Sequence, residues 1–544
     1  MTGTDWKRFV ESYLEEYFAQ NPTFAANAGR HELDGRLPDW SAEGLERKIE
    51  WLREHRERVL GFASLGERES FERDYLLAQI DVDLFWMAEA EWPWRNPIFY
   101  ANPLDPSLYL TREYAPLERR MRAFVDYARA VPKAAEQIRA NLRTPMPRTW
   151  AKVGRMTLGG LAGYFETDVP PIFATVRDPA LQEDFRAANA AAAAAMRGLG
   201  AWFAELEAST QEGGDGYVLG PELYGRMLRA TERVDVPLAE LEAAGRRELE
   251  RNLAALREAC AALDPGKSVR ECVDLVQAEK PEGGPVEAAR RQLAGLRRFL
   301  EEKALVTIPG EEQALIEESP PYQRWNAAYI DIPGPFDRHL PSIYYITPPD
   351  PSWSPEERAA YIPGEADLLF ITIHEVWPGH FLQFLHSNRV ESDLGRLFVG
   401  YGFAEGWAHY SEELMWETGF GNGDPRLRIG QLQNALLRNV RYLVAIGLHT
   451  CGMTLEEAER MFREQAFQDP GNARQQAARG TFDPAYLNYT LGKLMVRKLR
   501  EDWTAPRGGQ RAWREFHDRF LSYGGPPIPL VRKAMMNGGN GIIL

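Results

Sequence analysis

The stretch Leu368–Gln383, with the sequence LLFITIHEVWPGHFLQ, places ionisable side chains inside a nearly continuous apolar run. Burying the adjacent pair His374 and Glu375 there costs desolvation free energy unless a partner or a metal ion compensates for it. In zinc peptidases with the HExxH pattern, two histidines four residues apart bind the metal from one helix face, and the glutamate between them polarises the metal's water. The stretch therefore predicts an apolar helix that carries metal ligands.

The second histidine of this stretch does not have the HExxH spacing, because His380 follows His374 by six residues rather than four. At about 100° per residue, a position six residues on lies about 240° around a straight helix, away from the first histidine. The two additional residues include Pro378 and Gly379, the pair best suited to interrupt helical hydrogen bonds. We therefore predict a two-residue bulge that brings the two histidines together.

A third ligand is predicted in the next strongly polar helix, Tyr401–Glu413. Its residues Glu405, His409 and Glu412 stand at i, i+4 and i+7, so they share a helix face. Glu405 is the predicted ligand, and a set of two histidines and one glutamate leaves a position open for water, as catalytic zinc requires. His409 and Glu412 are predicted to orient the ligands or to contact substrate. One zinc ion per chain is the expected cofactor, with Glu375 as the general base.

Further candidates lie near the carboxyl end of the chain, where a tyrosine or histidine could donate a hydrogen bond to the negative oxygen of a transition state. His449 and Tyr489 are the predicted catalytic donors, and Tyr486 and Lys493 are predicted to orient the ligands or to bind substrate. A packing role stays open for each of the four. The run Ile343–Thr347 is expected to offer a strand edge to an extended peptide.

Apolar residues recur at three- and four-residue spacing along most of the chain, so the fold is expected to be mainly α-helical. Three short runs rich in β-branched and aromatic residues predict a small sheet beside the metal-binding helix: Leu305–Pro309, Ala328–Ile332 and Ser342–Thr347. These strands and all the proposed chemistry follow residue 300. We therefore expect a helical amino-terminal lobe at residues 1–300 and a catalytic lobe at 301–544, around a deep central cleft.

The balance of 64 basic and 79 acidic residues gives a net charge of −15, which disfavours binding to nucleic acid or to an anionic membrane surface. The three cysteines, Cys260, Cys272 and Cys451, lack the spacing of a disulfide framework or a cysteine zinc site. The first residues are acidic and amphipathic, unlike a signal peptide, and no apolar run approaches the roughly 20 residues of a membrane helix. A cytoplasmic protein is expected.

The motifs HEVWPGH at His374–His380 and EGWAHYSEE at Glu405–Glu413 resemble those of the domain-of-unknown-function 885 family. This resemblance implies a zinc metallopeptidase of the Glu-zincin type. It also implies the same three metal ligands and the same general base as the residue pattern. The architecture is similar to that of helical metallopeptidases such as carboxypeptidase Taq and the oligopeptidases, in which a helical shell encloses a deep cleft.

The resemblance extends over nearly the whole chain, with further similar segments at Ala26–Asp39, Gly447–His449 and Gly492–Lys493. Two positions depart from the family pattern. Phe381 stands where members often have a second histidine, and Ala445 stands where they often have an aspartate. These differences bear on substrate specificity more than on metal binding.

The leading hypothesis is a zinc-dependent hydrolase that cleaves amide bonds of short peptides, as a carboxypeptidase or an oligopeptidase does. A carboxypeptidase needs a cation for the substrate carboxylate, but Arg441, on the helix Leu432–Leu448, is expected to be a buried ion-pair partner. Two alternatives stay open: a zinc-dependent hydrolase or lyase for a non-peptide small molecule, and a non-catalytic helical binding protein. The expected partner is a short peptide or small amide substrate, with neither nucleic acid nor membrane, and a homodimer stays open.

Overall fold

The computed structural model describes residues 3–210, 216–320, 327–538 and 544. The structure is mainly helical and has one small sheet, which confirms the predicted fold class. The chain forms two compact units: residues 1–219 with 333–340, and residues 220–332 with 341–544. Among the described helices, none is both long and apolar enough to cross a membrane.

The first unit is built from helices that share an apolar core. They are α1 (Gly3–Gln20), α2 (Pro22–Ala28), α3 (Ala42–Leu60), α4 (Glu67–Leu84), α5 (Trp92–Arg95), α6 (Ser107–Thr111), α7 (Leu117–Asn141), α8 (Arg148–Thr157), α9 (Leu161–Thr167), α10 (Val169–Phe173) and α11 (Pro179–Ser209). Helix α11 packs against α7, α8 and α9, where Phe124, Phe165 and Phe185 are almost fully excluded from water. Asp178 starts α11, because its carboxylate accepts hydrogen bonds from the first turn.

The second unit contains the sheet, the remaining helices and all the predicted site residues. Its helices are α12 (Pro221–Glu232), α13 (Leu238–Leu263), α14 (Val269–Ala278), α15 (Pro285–Lys303), α16 (Pro355–Tyr361), α17 (Glu365–Glu375), α18 (His380–Ser387), α19 (Asp393–Leu397), α20 (Tyr401–Glu417), α21 (Pro425–Thr450), α22 (Leu455–Gln465), α23 (Pro470–Phe482), α24 (Asn488–Thr504), α25 (Trp513–Leu521) and α26 (Ile528–Met535). Helix α21 is central, since it packs against α13, α17, α22, α23 and α24.

Four helices that the sequence assigned to the amino-terminal lobe, α12–α15, belong to the second unit. Helix α13 packs along α21: Tyr442 Oη donates to Leu241 O at 2.9 Å, and Asn252 Nδ2 donates to Asn439 Oδ1 at 2.7 Å. The units therefore divide after residue 219 rather than at residue 300. The pairing joins segments that are far apart in the chain, which no local sequence pattern encodes.

The sheet has three strands: β1 (Ala314–Glu318), β2 (Ala328–Asp331) and β3 (Ser342–Ile346). Strand β3 lies in the centre, parallel to β1 and antiparallel to β2. The predicted second and third strands are confirmed to within one residue. Because β3 is hydrogen-bonded on both sides, the expectation that Ile343–Thr347 offers a free edge is wrong.

The predicted strand Leu305–Pro309 is also wrong, because side chains rather than a neighbouring strand satisfy its backbone. Thr307 N donates to Asp518 Oδ1 at 2.7 Å, and His517 Nδ1 donates to Leu305 O at 2.7 Å. Strand β1 is not among the predicted strands, because its sequence ALIEE contains only one β-branched residue and two glutamates. Burial against α15 and pairing with β3, rather than local preference, make this segment a strand.

A buried carboxylate, Glu232, lies at the end of α12 and contacts α20 and α24. It is 1% exposed, and it accepts hydrogen bonds from Asn488 Nδ2 at 2.6 Å and from Gly402 N at 3.3 Å. Burial raises the pKa of Glu232 to about 8, although the Gly402 N–H opposes this shift. The side chain is therefore mostly protonated at neutral pH.

We predict that Glu232→Gln removes a pH-dependent loss of stability. The folded chain keeps the Glu232 proton up to about pH 8, whereas the unfolded chain releases it near the ordinary pKa of 4.5. The wild-type free energy of unfolding therefore falls as the pH rises between these two values. Relative to wild type, the variant should gain on the order of 4 kcal/mol across this range, measured by urea unfolding.

The matched control for this experiment is Glu302→Gln, since Glu302 is exposed on α15. Its difference from wild type should not change with pH. If Glu232→Gln behaves in the same way, Glu232 is ionised in the folded protein.

Candidate metal centre

The predicted bulge lies between α17 and α18 and contains two additional residues. Gly379 N donates to Ile373 O at 3.0 Å, and Leu382 N donates to Val376 O at 3.4 Å. Each of these hydrogen bonds spans six residues instead of the four of a regular α-helix. The prediction is confirmed, and the bulge is wide enough to divide the predicted helix into two.

The bulge requires glycine at position 379 and is held in place by a tryptophan. A Cβ atom on Gly379 would collide with the carbonyl oxygen of His374. On the other side, Trp407 Nε1 donates to Pro378 O at 2.8 Å. A hydrogen bond therefore joins the two sequence motifs, one ending in Pro-Gly-His and the other containing Glu-Gly-Trp.

Helix α20, which carries Glu405, lies directly against α24, which carries Tyr489. A Cβ atom on Gly406 would lie 2.5 Å from Gly492 Cα, so only glycine at both positions allows this approach. The contact between the two backbones therefore fixes the distance between the helices that carry Glu405 and Tyr489.

His374, His380 and Glu405 come together, as the sequence predicts. Their candidate ligand atoms all lie within 4.8 Å of one another. Glu405 Oε2 is 3.2 Å from His374 Nε2 and 3.4 Å from His380 Nε2. His374 is 5% exposed, and the other two residues are half-buried. We refer to these three residues as the His-His-Glu cluster.

The His-His-Glu cluster fits a zinc ion in both donor chemistry and spacing. Two imidazole nitrogens and one carboxylate oxygen are a common ligand set of catalytic zinc, which keeps a fourth position open. Ligand atoms about 2.1 Å from a tetrahedral ion lie about 3.4 Å apart. The two separations from Glu405 Oε2, 3.2 Å and 3.4 Å, agree with that value. That these residues bind a metal stays a prediction.

The second nitrogen of His374 is fixed by a buried ion pair. His374 Nδ1 lies 2.8 Å from Glu412 Oε1, and Arg438 Nη2 lies 3.2 Å from the same oxygen. When Nδ1–H donates to Glu412, the lone pair of Nε2 faces the other two residues of the cluster. Glu412 therefore contacts the nitrogen of His374 that an orienting residue would hold.

The charges of these groups follow from their contacts. Burial and Arg438 lower the pKa of His374, but hydrogen bonds to Glu405 and Glu412 outweigh them and raise it to about 9. Burial alone would raise the pKa of both carboxyls. The cluster histidines nevertheless hold the pKa of Glu405 well below its usual range, and Arg438 with its neighbouring histidines does the same for Glu412. Both carboxyls are therefore ionised, and a metal ion at the cluster would have to displace the second proton of His374.

Glu375, the predicted general base, ends α17 and is half-buried. Its Oε2 accepts a hydrogen bond from Ile330 N, in strand β2, at 3.1 Å. The sheet and helix α17 therefore meet at this carboxylate, next in the chain to His374.

Tyr489 also lies beside the cluster. Its ring is stacked with that of His374, with centroids 6.4 Å apart and planes inclined by 22°. Tyr401 meets the Tyr489 ring edge-on at 5.7 Å. Burial and the charge of Glu405 raise the pKa of Tyr489, so the phenol keeps its proton and can donate it in a hydrogen bond.

Two other predicted residues, His409 and Lys493, are fully buried behind the cluster. His409 Nδ1 is 3.4 Å from Glu412 Oε2, and burial together with the charge of Lys493 lowers the pKa of His409 to about 3. The ring is therefore neutral. Lys493 pairs with Glu248 at 3.0 Å and with Glu413, so its charge is committed to the contact between helices α13, α20 and α24.

His449 and Tyr486 are fully buried around Gly480 in α23. His449 Nε2 donates to Gly480 O at 2.8 Å, and its ring stacks with Tyr224. A Cβ atom on Gly480 would lie 2.5 Å from Tyr486 Oη. These contacts correspond to the packing role that the sequence left open for both residues.

Sequence reasoning missed three residues around the site: Tyr401, Arg438 and Arg479. Arg438 pairs with Glu412, and Arg479 pairs with Asp483 at 2.8 Å while it donates to Tyr401 Oη at 3.1 Å. For the two arginines, the only local signal is a charged residue in a helix, which is also typical of a surface position. Only their contacts with residues on other segments of the chain place them around the site.

The fold and the site together define a mainly helical protein with a His-His-Glu cluster that can hold a metal ion. Residues 22–535 match the family described as bacterial protein of unknown function, DUF885. The chain belongs to this family, as its two motifs predicted.

Two solved structures are similar over almost their full length. A candidate lipoprotein of unknown function from Shewanella oneidensis has a TM-score of 0.81 and 22% sequence identity, over 98% of this chain and 99% of that one. A candidate lipoprotein from Colwellia psychrerythraea has a TM-score of 0.81 and 19% identity, over 98% of both chains. These similarities show a shared fold. No curated protein matches the chain.

We predict that Gly379→Ala destabilises the second unit and moves His380 away from His374. The added methyl group collides with the backbone at the bulge, so the free energy of unfolding should fall by about 2 kcal/mol or more. Gly295→Ala in α15 is the matched control, because nothing lies within 4 Å of a Cβ atom there. It should be neutral or stabilising by roughly 0.5–1 kcal/mol. Equal thermal stability of the two variants would show that the bulge has room for a side chain.

Proposed function

We propose that the chain is a zinc-dependent hydrolase that cleaves amide bonds in short peptides. The observation that carries this proposal is the convergence of His374, His380 and Glu405, with Glu375 directly after His374 in the chain. The three cluster residues would hold the ion. Zinc supplies Lewis acidity, which polarises a carbonyl group and acidifies water.

In this proposal, Glu375 would move the proton that amide hydrolysis requires. In the described part of the chain, its hydrogen bond is to Ile330 N at Oε2, which fixes the carboxylate and leaves Oε1 to accept a proton from water. The same oxygen can then deliver the proton to the leaving nitrogen. Both transfers are needed, because an amide nitrogen leaves readily only after protonation.

Glu412 and Arg438 would act through His374. Their ion pair holds Nδ1 and so presents Nε2 to the ion, and removal of such a partner weakens metal sites. Tyr489 would act on the substrate, because its protonated hydroxyl can donate to the carbonyl oxygen as negative charge develops there.

We predict that Glu375→Gln lowers the rate of peptide hydrolysis by about 100- to 10,000-fold, because the amide has the size of the carboxylate but cannot accept the proton. The variant should bind zinc as wild type does. Mass spectrometry of a panel of short peptides measures the rate, and metal analysis of the purified protein measures the zinc.

Glu365→Gln, at the other end of α17, is the matched control. Glu365 is also half-buried and accepts a hydrogen bond from Gln292 at 3.3 Å, so its replacement should leave hydrolysis near the wild-type rate. Absence of zinc from the purified protein, or full activity of Glu375→Gln, contradicts the mechanism and favours a binding protein. Intact peptides combined with turnover of a small ester or amide favour the hydrolase for a non-peptide substrate.

We predict that Glu412→Gln weakens zinc binding by about 10- to 100-fold, since a neutral amide holds His374 Nδ1 less strongly than a carboxylate. Competition with a chromophoric chelator measures the affinity. Glu417→Gln is the control, because it also breaks a carboxylate–arginine pair on α20, with Arg500 at 2.8 Å, but away from the cluster. Similar affinities of the two variants would show that the Glu412 contact does not support a metal ion.

A further inference from the structure

Three guanidinium groups surround the ring of Tyr489. The Cζ atoms of Arg438 and Arg441, from α21, lie 5.7 Å and 5.1 Å from the ring centroid, and that of Arg479, from α23, lies 6.0 Å from it. The stacking of the same ring with His374 places this positive charge next to the His-His-Glu cluster.

Two of the three guanidinium groups are neutralised by carboxylates. Arg438 pairs with Glu412 at 3.2 Å, and Arg479 pairs with Asp483 at 2.8 Å. The positive charges of Arg438 and Arg479 are therefore balanced within the protein.

Arg441 is different, and the expectation that it is a buried ion-pair partner is wrong. It is 8% exposed, yet in the described part of the chain no carboxylate lies within 4.0 Å of it. Its Nε donates to Gln476 Oε1, a neutral amide, at 2.9 Å. Burial of a guanidinium without an anion costs free energy, and the two other arginines add repulsion. A bound anion would offset both costs.

The geometry limits where such an anion belongs in a substrate. The guanidinium carbon of Arg441 is 5.1 Å from the Tyr489 ring centroid, and the imidazole of His374 is 6.4 Å from the same point. One extended residue spans about 3.5 Å, so no more than about three residues separate an anion at Arg441 from a bond at the cluster. A planar guanidinium matches a carboxylate through two parallel hydrogen bonds.

We propose that Arg441 binds the carboxyl-terminal carboxylate of a peptide whose amide bond lies at the His-His-Glu cluster. The substrate class is then peptides with a free carboxyl terminus, from which one to three residues are released. This inference rests on the proposed hydrolase, but the carboxylate contact itself does not need catalysis.

The test compares the tripeptide Ala-Ala-Phe with its carboxyl-terminal amide. Calorimetry with the full-length, zinc-loaded Glu375→Gln variant measures binding without turnover. The free acid should bind about 10- to 100-fold more tightly than the amide. Adding Arg441→Met should abolish this preference, and Arg441→Lys, which keeps the charge but not the fork, should retain part of it. Arg474→Met, at an exposed position of α23, should leave it unchanged.

Equal binding of acid and amide by the parent protein overturns the inference, and so does a preference that survives in Arg441→Met. Circular dichroism shows whether Arg441→Met is folded. If it is not, Arg441→Lys is the deciding variant. A preference for the free acid that is as strong in Arg441→Lys as in the parent protein overturns bidentate binding. In catalytically intact protein, the amide should show a raised KM with kcat less affected. If the protein prefers the acid but hydrolyses neither peptide, the proposed hydrolase is wrong and the carboxylate site at Arg441 stands. If it hydrolyses both peptides equally, only the carboxylate site is wrong.

Discussion

The arrangement of the site depends on the close approach of the Gly379 backbone to the carbonyl oxygen of His374. This approach makes room for two additional residues in the helix, and hydrogen bonds that span six residues turn His380 back to the side of His374. The bulge leaves the Pro378 carbonyl without a helical partner, and Trp407 Nε1 donates to it. Trp407 is two residues after Glu405, so the hydrogen bond that stabilises the bulge also places the third member of the cluster.

Buried charges tie the surrounding helices together. Glu412 and Arg438 join α20 to α21, and Lys493 with Glu248 and Glu413 joins α24 to α13 and α20. Such pairs contribute little net stability, because desolvation offsets most of the attraction. A charge left without its partner is much more costly, so the pairs select one alignment of the helices over others. Precise alignment matters here, because the cluster takes its members from separate helices.

Local sequence signals were sufficient where the chemistry is local. The apolar run with Pro378 and Gly379 predicted the bulge, and the i+4 and i+7 spacing predicted the common face of Glu405 and Glu412. They were insufficient where a contact joins distant segments. Leu305–Pro309 has the composition of a strand, but side chains of α18 and α25 take its hydrogen bonds. The side chains of His449, Tyr486 and Lys493 have the chemistry that a site needs, but they also make buried contacts between helices, and sequence alone does not distinguish these two uses.

The net charge of −15 belongs to the whole chain and differs from the charge beside Tyr489, which is positive. Exposed charges are screened over about 8 Å at physiological ionic strength, so the acidic surface contributes little inside the protein. Within the site, charges interact through protein rather than water, and there Arg441, whose neighbours Arg438 and Arg479 are paired with carboxylates, contributes positive charge beside Tyr489. Glu405 contributes the negative charge of a carboxylate at the His-His-Glu cluster. A metal ion and a carboxylate would therefore each find a complementary field within one site, although the overall charge of the chain indicates neither.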